Sequence, residues 1–157
     1  VVSTFGNMFA PNPPRVAAEM LRVCRPGGRI AMANWTPAGF IGQVFKTLGK
    51  HVPPPPGVSS PALWGTPGQI AELFGEHAAH IATEVRQFHF RYRSSAHMLE
   101  VFRSYYGPIL KAFAALNPTG QQALTADLLA LMQQFNSAER GGLVIPSDYL
   151  EIVITRH

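Results

Sequence analysis

The 157-residue sequence predicts an α/β domain, and three observations carry that reading. An apolar stretch from Val1 to Phe5 precedes an amphipathic stretch from Pro13 to Cys24, which is followed by a second apolar stretch from Arg29 to Trp35. Short connections make this order a right-handed crossover unit, so the two strands are expected as parallel neighbours in one sheet. Far downstream, Leu150, Ile152 and Ile154 alternate with period two, which predicts a last strand over Tyr149 to Arg156.

The first strand gives way to a Gly-, Asn- and Pro-rich exit, Gly6 to Pro14, in which Asn12 caps a helix with Pro13 at its first position. Val16, Met20, Val23 and Cys24 share one face of that helix, as expected of a helix packed on a sheet. Arg25-Pro26-Gly27-Gly28 stops it, and Thr36-Pro37 ends the strand that follows. Phe40, Ile41, Val44, Phe45 and Leu48 predict a second helix closed by Gly49. Pro53 to Pro56 reads as a stiff loop, and Thr66-Pro67-Gly68-Gln69 as a capping box opening a third helix with Ile70, Leu73 and Phe74 buried. Ile81 to Tyr92 alternates as a strand, with Val85 on one face and Phe88, Phe90 and Tyr92 on the other, which calls for a bulge near Arg86 or Gln87. Ser94 or Ser95 caps the next helix, Pro108 restarts a shorter one, and Asn117-Pro118-Thr119 opens the longest. The whole is read as one domain, 1–157, with cap-like helical insertions at about 37–75 and 94–140.

Composition excludes several functional classes. The net charge of +4 arises from 13 Lys and Arg against 9 Asp and Glu without a basic run, so a solvated surface is expected and no nucleic-acid partner. Every apolar run is interrupted too early for a membrane span, and no export signal opens the sequence. Cys24, the single cysteine, leaves no internal disulfide and fits a reducing cytoplasm. His51, His77, His80, His89 and His97 lack the spacing of a metal site, so no metal is expected.

Three stretches together resemble class I S-adenosylmethionine-dependent methyltransferases of the type that includes the ubiquinone and menaquinone biosynthesis enzymes. Val1-Val2-Ser3-Thr4-Phe5-Gly6-Asn7-Met8-Phe9 is similar to the family's fourth strand and its exit. Glu19-Met20-Leu21-Arg22-Val23-Cys24-Arg25-Pro26-Gly27-Gly28-Arg29-Ile30 resembles its helix, Pro-Gly-Gly turn and fifth strand, and Tyr149 to Arg156 resembles its terminal antiparallel strand. The resemblance implies a partial Rossmann-like sheet with strands equivalent to the fourth to seventh, the last antiparallel. The family's glycine-rich first loop and the acidic residue ending its second strand have no counterpart here, and Val1 has the look of a strand entered midway, so a missing upstream half is expected.

For function, the resemblance implies S-adenosyl-L-methionine as cofactor and a small-molecule methyl acceptor. Thr4, Phe5 and Gly6 then face the cofactor's methionine end, although Phe5 equally suits the core and Gly6 a simple turn. Asn34 and Trp35, at a strand's carboxyl end, are expected to face the substrate, although Trp35 equally suits the core. Phe40, Trp64 and Tyr105, with Phe45, Phe102 and Tyr106, lie on the insertions and suggest an apolar acceptor, or else form the insertions' own core. No catalytic base is assigned. This chain is expected to be the C-terminal portion of the enzyme, inactive by itself; the competing reading is a non-catalytic, self-associating module that binds an apolar ligand. In either case the unpaired first strand is expected to support a homodimer.

Overall fold

The computed structural model describes residues 1–157. β1 (Val2–Thr4) and β2 (Arg29–Trp35) are parallel neighbours with Val2 beside Ala31 and Thr4 beside Ala33, as the crossover predicts. The helix between them, α1 (Pro13–Val23), starts where Asn12 Oδ1 accepts the Arg15 N–H at 3.0 Å. It ends in a turn where Gly27 adopts φ +69°, a conformation that costs other residues dearly. Arg156 closes the arrangement from the far end of the sequence. Its guanidinium donates to the Leu21 carbonyl at 2.7 Å and to the Cys24 carbonyl, placing a cation at the negative end of α1.

The sheet has the order β1-β2-β4-β3, with β3 spanning Ala78–Tyr92 and β4 Leu143–Arg156. β4, the last strand in sequence, lies antiparallel to β2, from Arg29 opposite Thr155 to Trp35 opposite Tyr149. Alternation then sorts the side chains. Ile30, Met32 and Asn34 share a buried face with Leu150, Ile152 and Ile154, while Ala31, Ala33, Glu151 and Val153 line a half-exposed one.

Two strand readings are corrected. β4 begins at Leu143, six residues before Tyr149, because Pro146 disguised its first part. β3 starts at Ala78 and runs as one strand; residues 82–89 are exposed on both faces, so no clean alternation was there to be read.

The remaining helices are α2 (Phe40–His51), α3 (Pro67–Phe74), α4 (Ser95–Tyr105), α5 (Gly107–Ala115) and α6 (Pro118–Phe135). Ser94 caps α4 through the His97 N–H at 3.1 Å, and Asn117 caps α6 through the Gly120 N–H at 2.8 Å. Thr66 caps α3 weakly, at 3.4 Å from the Gln69 N–H. Gln69 turns to Glu72, so the reciprocal half of the expected box is not made. No helix is long and apolar enough to cross a membrane.

The chain divides into two compact units. The first comprises Val1–Pro37, Gly57–Gln87 and Asp148–His157, and holds α1, α3, β1, β2 and parts of β3 and β4. Its core includes Met20, Ile30, Met32, Ile70, Phe74 and Ile152. The second comprises Ala38–Pro56 and Phe88–Ser147, with α2, α4, α5 and α6 around Phe40, Val44, Met98, Phe102, Leu128 and Met132. Within it His51 Nε2 meets Asp127 Oδ2 at 2.8 Å, tying α2 to α6.

Candidate functional site

The carboxyl ends of β1 and β2 carry the most unusual local chemistry in the first unit. β1 stops because Phe5 takes φ +58°, the one non-glycine residue with positive φ. For an L-residue that conformation costs roughly 1–2 kcal/mol. The next residues form a short 3₁₀ turn, Asn7–Phe9, fixed to the strand by Ser3. The Ser3 hydroxyl accepts the Asn7 N–H at 3.1 Å and donates to Asn7 Oδ1 at 2.9 Å.

The strained backbone turns the Phe5 ring flat onto Trp35, with centroids 4.0 Å apart and planes within 13°. Tyr149, opposite Trp35 on β4, meets both rings edge-on at 5.6 and 6.2 Å. Aromatic pairs contribute about 0.5–1.5 kcal/mol beyond area burial. The stack therefore roughly offsets the strain, and Phe5 is held there with little to spare.

Asn34, one residue before Trp35, points to the other face and is fully buried. Neither its Nδ2 nor its Oδ1 has a protein partner. Two other buried polar atoms in this unit share that condition, Asn7 Nδ2 and Trp64 Nε1. Leaving a buried donor or acceptor unmade costs about 1–3 kcal/mol, so a buried amide with both ends unmet is retained at the expense of stability.

The residues singled out by sequence separate accordingly. Phe5, Trp35 and the neighbouring Thr4, Gly6 and Asn34 come together at the ends of β1 and β2, with Thr4 and Gly6 exposed. Trp64 belongs to the same unit, in a 3₁₀ turn (Pro61–Gly65), buried against Phe74 at 6.4 Å. A Cβ on Gly65 would fall 2.1 Å from the Trp35 carbonyl oxygen, so only glycine lets this turn lie against the end of β2. Beside it a small cavity, about 20 Å³ and lined by Met8, Pro11, Ser60 and Trp64, has room for roughly one water.

Phe40 and Tyr105 lie in the second unit. Phe40 is fully buried between Phe90 and Phe135, and Tyr105 is 85% exposed. Tyr106 has a buried hydroxyl without a protein partner, and burial pushes its phenol pKa up. No three His, Cys, Asp or Glu side chains gather as a metal site. Sequence reasoning missed Tyr149 and Asp127. The register that sets Tyr149 opposite Trp35, and the fold that brings Asp127 to His51 across 76 positions, leave no local signal.

Comparison with a solved structure identifies the architecture. A candidate methyltransferase from Bacillus halodurans C-125 superposes with a TM-score of 0.55 at 12% identity, over 99% of this chain and 62% of that one. The fold is methyltransferase-like. No family model matches the sequence. Among curated proteins, Rv1403c of Mycobacterium tuberculosis, itself uncharacterised, is 33% identical over 139 residues, covering 86% of this chain. Rv1405c of the same organism, also uncharacterised, is 32% identical over 145 residues, covering 87%. The chain spans about half the length of these relatives, 51% and 52%.

Proposed function

We propose that this chain forms one wall of an S-adenosylmethionine-dependent methyltransferase site, and that polypeptide equivalent to the remainder of the mycobacterial relatives supplies the other. The observation that carries the reading is the buried, unpartnered Asn34 amide at the carboxyl end of β2, one residue before Trp35 and on the opposite face of the strand from the Phe5–Trp35 stack. Ligands of open α/β sheets bind at the carboxyl ends of strands, where these residues stand.

The residues fit part of the cofactor. Exposed Thr4 and Gly6 would present backbone groups to its methionine end, whereas neither Thr4–Gly6 nor Asn34–Trp35 contains a carboxylate that would take ribose hydroxyls. When bound, the cofactor supplies an electrophilic methyl group on sulfur. The chain's own task is to hold the acceptor in line and keep water out. Half-buried Phe5 and Tyr149 offer apolar surface suited to an apolar small-molecule acceptor, with the buried Trp35 ring packed beneath them. The Asn34 amide offers both donors and acceptors for a polar group of cofactor or acceptor.

The test is calorimetric titration with S-adenosylmethionine, using this chain and the chain extended to its relatives' full length. Binding is expected only for the extended protein. Tight binding by the 157-residue chain, or none by either, overturns the proposal.

A further inference from the structure

Independently of that chemistry, the sheet carries a self-complementary edge. β3 is the outermost strand and, at 15 residues, the longest in the molecule. No strand lies beyond it, and its central residues 82–89 are exposed on both faces, with Val85 at 60%. An exposed edge of this length is a template for another strand unless something blocks it. Charged side chains ordinarily do the blocking, because a chance register sets like charges opposite each other.

Here the charges select one register instead. When two copies of a strand pair about a two-fold axis, the axis passes through one residue, which faces itself, and neighbours on either side face each other. An axis at residue 84 sets Glu84 against its own copy, and an axis at residue 86 does the same to Arg86. An axis at Val85 sets Glu84 of each chain opposite Arg86 of the other, twice, with Thr83 opposite Gln87 and the two Val85 side chains in contact. Directly opposed charges of opposite sign stabilise a strand pair, and like charges destabilise it. Arg86 is already turned toward acids of its own chain, Glu84 at 2.9 Å and Glu151 at 3.5 Å, and remains about half exposed, so its outer side is open to a further carboxylate.

We propose that the outer edge of β3 is a homodimer interface in which two copies pair antiparallel about Val85, held in register by reciprocal Glu84–Arg86 contacts. β1, the opposite edge, has three strand residues and no charge to set a register.

Light scattering after size exclusion tests the interface. Wild type is expected as a dimer, and Glu84→Arg alone or Arg86→Glu alone should weaken dimerisation at least tenfold by opposing like charges. An equimolar mixture of the two variants should restore the dimer, because the substituted positions then face each other with opposite signs. Both sites are exposed, and thermal melts of the single variants separate failed folding from failed pairing. A monomeric wild type overturns the proposal; so do single variants that dimerise like wild type, as they would if β1 were the interface, and so does a mixture that fails to recover.

Discussion

The two units use aromatic residues in opposite ways. In the second, Phe40, Phe90, Phe102 and Phe135 meet at 5.7–6.1 Å with ring planes steeply inclined to one another, the usual geometry of a packed core. In the first, Phe5 and Trp35 lie face to face at 4.0 Å over a strained backbone, and Asn34, one residue before Trp35, buries an amide with no partner on the other face of the strand. Unmet buried polar atoms occur in both units, Tyr106 Oη and His97 Nδ1 among them in the second, so what sets the first apart is the left-handed Phe5 backbone under a face-to-face stack at the ends of β1 and β2.

Substitution should break the contrast in graded fashion. Phe40→Ala removes a fully buried ring from the second unit and should cost about 3–5 kcal/mol in denaturant unfolding. Phe5→Ala loses the stack while keeping the strain and should cost roughly 1–2 kcal/mol, whereas Phe5→Gly relieves the strain as well and should stay within about 1 kcal/mol of wild type. Trp35 emission should shift in both Phe5 variants. Equal costs for Ala and Gly at position 5 would mean that the positive φ stores nothing.

Much of this was legible in the sequence. Asn12-Pro13, Pro26-Gly27-Gly28 and the alternation of Leu150, Ile152 and Ile154 gave the crossover and the last strand, because caps, turns and periodicity are local physics. Placement of Trp35 and Asn34 at a strand's carboxyl end followed from the same frame. What stayed hidden was non-local. The register that brings Tyr149 to Trp35, the left-handed Phe5, the reach of Arg156 to α1 and the His51–Asp127 pair depend on chain segments far apart in sequence. Pro146 hid the start of β4, and the two exposed faces of β3 blurred its alternation.

The central claim is that Asn34 stays buried and unsatisfied for the sake of a ligand, and one substitution addresses it directly. Asn34→Leu keeps the γ-branched shape and heavy-atom count, with bulkier methyl groups, and removes the unmet amide. In the 157-residue chain it should raise unfolding stability by roughly 1 kcal/mol or more, and in the chain extended to the relatives' length it should weaken S-adenosylmethionine binding or abolish methyl transfer. A loss of stability, or a gain with binding and transfer unchanged, would contradict the account.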